Sequence, residues 1–129
     1  MLIDSDWPID ALGARPPAVA LLARLGGEQL AVSIVSHCEL LEGVVARPNS
    51  AERVAEVRVF LGQFATIPIT DTIAEIFAQA RSRLRSEGRL IPDFDLVIAA
   101  TALAHDLTLV TRNRRHFDRI EGLRLLPTT

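Results

Sequence analysis

Short apolar runs rich in strand-forming residues recur along the chain, at Met1 to Ile3, Leu30 to Ser33, Thr66 to Ile69, Leu107 to Thr111 and Leu123 to Leu126. Between them lie longer stretches whose apolar residues fall three or four positions apart, the spacing of a helix with one buried side. Strands that alternate with helices in this way predict an α/β fold with a mostly parallel sheet.

The helical stretches carry start and stop signals. Pro16 and Pro17 open one that includes Val19, Leu21, Leu22 and Leu25 and stops at Gly26 and Gly27. Ser33 or Ser36 caps the next, in which Leu40, Leu41, Val44 and Val45 recur on one side until Pro48. Asn49 or Ser50 begins a third, through Val54, Val57, Phe60 and Leu61. Thr70 caps a fourth, with Ile73, Ile76, Phe77, Ala80 and Leu84 on its buried side and an end near Gly88. Its opposite side carries Arg81, Arg83, Arg85 and Arg89, which read as a solvated face, with contact to RNA as the alternative.

Composition narrows the class. The chain has 129 residues, 49% of them hydrophobic, enough to bury one sizeable core, and no repeat or linker divides it, so a single domain over 1–129 is expected. A formal net charge of −2 supplies no overall basic field, so any polyanion must be handled locally. Cys38 stands alone and cannot form an internal disulfide; it reads as a small buried hydrophobe of a reducing compartment, the cytoplasm. Asp4, Asp6 and Asp10 occupy positions where a secretory signal would need basic and then apolar residues. The longest mainly apolar stretch, Leu96 to Ala104, is about half of the roughly 20 residues a membrane span requires, so a soluble protein with no membrane association is expected.

Candidate chemistry gathers near the ends of the runs. Asp4 directly follows the first, Glu39 lies about one helical turn after the second, Asp93 and Asp95 start the helix that feeds the fourth, and Asn113 lies just past the fourth. In an open parallel sheet, ligand sites form at the carboxyl ends of strands near the point where strand order reverses, so these five side chains are expected at one crevice. Singly, each has an ordinary role: Asp4 as a cap, Glu39 on a wet helix face, Asp93 and Asp95 as complements to a helix dipole. Together, three or more carboxylates would repel one another unless a hard divalent cation compensated them. Oxygen ligands without cysteine or a histidine pair favour Mg²⁺ or Mn²⁺ over Zn²⁺. Such ions orient a water, lower its pKa and stabilise the charge that develops as a phosphodiester is displaced, which makes phosphodiester hydrolysis the reaction this constellation suits best.

Three segments, LIDSDWPIDAL (2–12), AVSIVSHCELLEG (31–43) and GRLIPDFDLVIAATALAHDLTLVTRNRRHFDRIEGLRLL (88–126), resemble in order the successive motifs of PIN-domain proteins, above all those of VapC-type toxins. The resemblance implies a three-layer fold with a central, mostly parallel sheet of about five strands flanked by helices. It also implies a homodimer, RNA cleavage dependent on Mg²⁺ or Mn²⁺, and inhibition by a small VapB-type antitoxin seated in a groove of the early helices. Position by position, it implies catalytic, metal-binding roles for Asp4, Glu39 and Asp95. Asp93 matches a position where many relatives also carry an acid, as an outer-sphere ligand or a helix cap. Asn113 matches one where the family has an acid or a small polar residue that can hold a metal-bound water. Asp6 matches a position that is often polar, and Ser5 and Ser36 match small hydroxyl residues that support the acids by hydrogen bonds.

Pro8 departs from the aliphatic residue usual in the family and removes a backbone donor close to Asp4, which is tolerable if it opens a helix. Asp10 is assigned surface pairing or capping. Arg112, Arg114 and Arg115 bracket Asn113 and would bring positive charge beside the acids, where phosphate docks, or simply furnish a solvated loop. His37 and His116 lack the paired spacing of a zinc site and read as structural or surface residues. Two alternatives keep the fold: an RNA-processing nuclease with no antitoxin, and a catalytically silent PIN-like binding module of which Asn113 and Pro8 would be the signs. A receiver-like or nucleotide-binding domain is disfavoured because no glycine-rich phosphate loop follows a strand.

Overall fold

A computed structural model describes residues 1–26 and 28–127. Its elements are β1 (Leu2–Ile3), α1 (Asp6–Leu12), α2 (Pro16–Arg24), β2 (Ala31–Ser33), α3 (Ile34–Val45), α4 (Ser50–Leu61), β3 (Ala65–Ile67), α5 (Asp71–Ser86), α6 (Asp93–Ala104), β4 (Leu109–Val110) and α7 (Arg114–Phe117). The strands pair in parallel in the order β3-β2-β1-β4. The chain lays β2 and β3 on one side of β1 and then crosses to place β4 on the other, so strand order reverses between β1 and β4. The expected α/β fold with a parallel sheet is therefore the one that forms.

Among the described residues, four strands stand where five runs were read. Leu123 to Leu126 meets β4 through a single parallel bridge, Leu109 to Leu125, with the Leu109 N–H donating to the Arg124 carbonyl and the Leu126 N–H to the Leu109 carbonyl, each at 2.9 Å. Pro68, which has no N–H to give a ladder, follows directly on the end of β3 at Ile67.

Successive strand residues face opposite layers. Leu2, Ala31 and Leu109 pack with Leu84, Leu96, Ile98, Ala99 and Phe117 of α5, α6 and α7. Ile3, Val32 and Val110 pack with Trp7, Leu21, Leu40, Val57 and Leu61 of α1 to α4. Burial on both faces is why β1, β2 and β4 read as unbroken apolar runs rather than alternations, whereas β3, at the sheet edge, is exposed to half-buried. Each fully buried side chain of the Leu or Ile size contributes about 2 kcal/mol. Among the described residues eight such chains, including Leu2, Ile3 and Leu109 of the strands, hold the three layers together, and they anchor the strand ends that carry the acids.

The caps behave as their chemistry requires. The Ser33 hydroxyl accepts from the Val35 N–H at 3.2 Å at the start of α3, and the Thr70 hydroxyl from the Ile73 N–H at 3.3 Å at the start of α5. Asn49 precedes α4 with φ 60 and makes no side-chain cap bond. Gly88, two residues past α5, takes φ +66, a left-handed turn that glycine adopts without strain. The stop assigned to Gly26 and Gly27 follows α2, with Gly27 lying outside the described residues. Pro8 is the third residue of α1 and buried, in a first turn whose N–H groups have no intrahelical partner, so it opens the helix at no cost in hydrogen bonds.

Two sequence expectations need correction. Cys38 is exposed, not buried: it sits two residues, or about 200° of helix, from both Ser36 and Leu40, which face inward. The arginines of α5 are more engaged than a solvated face implies. Arg81 bonds Asp93 of α6 at 3.0 Å, and Arg83 reaches Glu121 at 2.9 Å and the Arg119 carbonyl at 3.1 Å. Among the described residues, no helix is long and apolar enough to cross a membrane.

Candidate active site

Asp4 stands at the β1–β4 switch point. The Asp4 N–H donates to the Val110 carbonyl at 2.9 Å, the last rung between β1 and β4, and the side chain leaves the sheet just past it. It is 4% exposed. Its Oδ1 accepts from the Ser5 N–H at 2.8 Å and its Oδ2 from the Thr111 hydroxyl at 2.6 Å. Both bonds favour the carboxylate, yet burial outweighs them, and the charges of Asp6 and Asp95 add to it, so the carboxyl is pushed up from 3.8 to about 6.

Glu39 comes from α3, which the Ser33 cap starts at the end of β2. The Ser5 hydroxyl donates to Glu39 Oε1 at 2.6 Å and lies 2.8 Å from the Ser36 hydroxyl. Ser5 has one proton to give and gives it to the carboxylate, so Ser36 is the donor in the second contact. These are the supporting positions expected of the two serines. Burial raises the Glu39 pKa above its ordinary value, helped by the charges of Asp95 and Asp6 and opposed by the Ser5 bond.

Asp95 lies in the first turn of α6 with its side chain 18% exposed, and its Oδ2 stands 2.7 Å from Nδ1 of His116. The same ring nitrogen lies 2.8 Å from Nδ2 of Asn113, whose backbone N–H donates to the Thr111 hydroxyl at 3.0 Å. One segment after β4 therefore touches two acids, Asp4 through Thr111 and Asp95 through His116. Asp4, Glu39 and Asp95 share one electrostatic environment, with Asp6 as a fourth charge and Asn113 at its edge. Asp93 is engaged elsewhere: its side chain is 64% exposed and ion-paired with Arg81.

Among the described residues, no three Asp, Glu, His or Cys side chains are gathered closely enough to form a ready-made metal cluster. The acids are held by hydroxyl and N–H donors while the charges of Asp6 and Asp95 raise the pKa values of Asp4 and Glu39. A hard divalent cation relieves that conflict, and the donor set suits one, since Asp4, Glu39 and Asp95 offer only oxygen and keep lone pairs beyond the bonds described.

Positive charge is arranged less simply than the sequence suggested. Arg112 pairs with Asp10, lies 4.4 Å above the Trp7 ring, and donates to the Asp6 carbonyl at 3.3 Å, clamping the end of β4 to α1. Arg114 is exposed and reaches the Leu126 carbonyl at 3.4 Å, and Arg115 is exposed. Asp10 has the pairing role assigned to it. Thr111 and His116 were missed as site residues, because their partners lie 107 and 21 residues away. The three-residue step from Asn113 to His116 is the one local signal that could have paired them. His37 bonds the Thr66 hydroxyl at 2.8 Å and ties α3 to β3, a structural role. Glu39 also lines a groove of about 320 Å³ between α1, α3 and α4, with apolar walls of Ile9, Leu12, Val44 and Val57, basic residues Arg15, Arg47 and Arg53, and the further acids Asp10 and Glu56.

A known family matches the chain over almost its whole length. The PIN domain profile covers residues 1–123, so the chain belongs to the PIN-domain family, within its VapC-type group. It is 37% identical to Ribonuclease VapC19 of Mycobacterium tuberculosis over 124 residues, covering 95% of each chain. It is 32% identical to Ribonuclease VapC1 of Methanocaldococcus jannaschii, over 97% of this chain and 85% of that one. Among solved structures it resembles VapBC2 from Rickettsia felis bound to a DNA fragment from its promoter, with a TM-score of 0.86, 26% identity, and coverage of 97% of this chain and 96% of the matched chain.

Proposed function

We propose that this protein is a Mg²⁺- or Mn²⁺-dependent endoribonuclease acting in the cytoplasm as the toxin of a VapBC-type pair. The observation that carries the reading is Asp4: a carboxyl buried at a strand end, pushed up to about 6, with Glu39 and Asp95 in the same field. A protein gains nothing in stability from such a group, and a cation offsets its cost. Its VapC relatives bear the name ribonuclease, and its structural relative is a VapBC complex.

Asp4, Glu39 and Asp95 hold the metal in this reading. A bound divalent ion supplies an activated water and neutralises charge on the phosphate under attack. The protein's own residues prepare the site: Ser5 orients Glu39 and, through its N–H, Asp4; Thr111 orients Asp4; Asn113 acts through Thr111 and His116. Asp93, engaged with Arg81, stands outside that set. Arg114 and Arg115 are the exposed cations flanking Asn113 for the RNA backbone.

A VapB-type antitoxin tail suits the groove between α1, α3 and α4, whose apolar walls fit one face of an amphipathic segment, whose mixed arginines and carboxylates offer partners for charges of both signs, and whose Glu39 makes any occupant abut one of the acids. A homodimer is the assembly the family resemblance implies. The test is incubation of purified protein with total cellular RNA in Mg²⁺, in Mn²⁺ and in EDTA. Fragments with either metal and none in EDTA are expected. A folded protein that leaves RNA intact in both metals is instead a silent binding module.

A further inference from the structure

His116 is drawn into the site by a contact that no spacing rule in the sequence announces. Its Nδ1 lies 2.7 Å from Asp95 Oδ2 and 2.8 Å from Asn113 Nδ2. One ring nitrogen cannot both donate to the first and accept from the second. The carboxylate is acceptor-only and the stronger partner, so Nδ1 carries a proton and gives it to Asp95. The Asn113 amide must then present its oxygen to that proton, and the O and N ends of the amide exchange by a half-turn about the last side-chain bond.

The consequence reaches past one hydrogen bond. Thr111, Asn113 and His116 lie within six residues. Thr111 holds Asp4 at 2.6 Å, Asn113 holds Thr111 through its backbone N–H at 3.0 Å, and His116 holds Asp95. Asp4 and Asp95 are 91 residues apart in sequence, yet their side chains are fixed against this one segment. Phe117, fully buried at 1% exposure, anchors its far end in the core.

We propose that His116 is a positioning residue: its Nδ1–H holds Asp95 Oδ2 and so fixes the orientation of a carboxylate that would serve a cation, and with Thr111 it sets the placement of Asp95 relative to Asp4. A histidine used in this way orients a ligand without touching the metal, and loss of such a partner costs about 10–100-fold in metal affinity. This rests on the metal-site reading above, and its test separates the two.

Mn²⁺ binding is measured by calorimetry for the wild type and for Asp95→Asn, His116→Leu and His116→Asn, and ring ¹⁵N shifts of the metal-free protein report which His116 nitrogen bears the proton. An asparagine carries an N–H donor at the position of Nδ1, so it discriminates a lost hydrogen bond from a lost ring. Expected are an Nδ1–H form of His116 in the wild type, Mn²⁺ affinity reduced about 10–100-fold in His116→Leu, and recovery of most of it in His116→Asn. Cleavage by His116→Leu should return toward the wild-type kcat at high Mn²⁺, because only metal retention is impaired. Tight Mn²⁺ binding by a folded His116→Leu that Asp95→Asn lacks would overturn the role of His116 and leave the metal site standing. An Nε2–H form in the metal-free protein would also overturn it, independently of any metal. A wild type that binds no Mn²⁺ would bring down both readings together.

Discussion

Replacing Asp4 by asparagine should stabilise the metal-free protein at neutral and alkaline pH while abolishing its response to metal. Asp4 titrates at about 6 when folded, against 3.8 for an unperturbed aspartate. A carboxyl raised in this direction binds its proton more tightly in the folded state. The contribution of Asp4 to stability is therefore greatest below about pH 4, falls as pH rises through 4 to 6, and levels off above. The accumulated loss is about 3 kcal/mol at pH 8, from roughly 1.4 kcal/mol for each pH unit between the two values. Asparagine cannot ionise and escapes that loss. It does turn an NH₂ toward one of the two donors, the Ser5 N–H or the Thr111 hydroxyl, at a cost of about 1 kcal/mol. The net expectation is Asp4→Asn about 1–2 kcal/mol more stable than wild type at pH 8 in EDTA, and slightly less stable at pH 3.5. Urea unfolding followed by circular dichroism across that range measures it. Residual pH dependence of the same sign survives in the variant through Glu39, whose pKa is also raised. Metal at 100 times its dissociation constant should return about 2.7 kcal/mol to the wild type and little to the variant. A stability difference that does not change between pH 3.5 and 8 would refute the assignment of Asp4 as the strained acid.

Thr111→Val removes the hydroxyl that donates to Asp4 and accepts from Asn113, at zero exposure; unfolding should become easier by about 2 kcal/mol, and by more at pH 8 than at pH 4, since Asp4 then sits higher still. Asp93→Asn breaks an exposed pair with Arg81, so unfolding should move by less than about 0.5 kcal/mol and RNA cleavage by less than twofold; a large loss of cleavage would bring Asp93 into the site. Ser33→Ala deletes the cap of the helix that carries Glu39 and should cost about 1 kcal/mol in urea unfolding, read against the wild type under the same conditions.

The sheet was legible because burial on both faces writes a strand as a run of apolar residues, and Leu2–Ile3, Ala31–Val32 and Leu109–Val110 are such runs. The run at Leu123 to Leu126 has the same composition but makes one bridge, a pairing outcome that composition does not encode. Asp4 at the end of β1, Glu39 in α3 and Asp95 in the first turn of α6 were legible as candidate acids, and in the fold the charge of Asp95 acts on the other two. The rest of the site was not. Thr111 and His116 matter through partners far away in the chain, and neither residue type at its own position signals them. Arg112 illustrates the reverse: its place beside Asn113 suggested a phosphate contact, whereas its guanidinium is occupied by Asp10 and the Trp7 ring. Asp93 and Asp95 look alike in sequence, and the two-residue step between them in α6 sends one carboxylate to Arg81 and the other to His116.

Cleavage of a defined RNA pool at increasing Mg²⁺, by wild type, Asp4→Asn, Glu39→Gln and Asp95→Asn, tests most directly that these three acids form one metal-dependent site. The account predicts cleavage by the wild type that rises with Mg²⁺ and stops in EDTA, and a fall of at least about 100-fold in each variant while circular dichroism shows each folded. Cleavage that persists in folded Asp4→Asn and Asp95→Asn, or in EDTA, would contradict it.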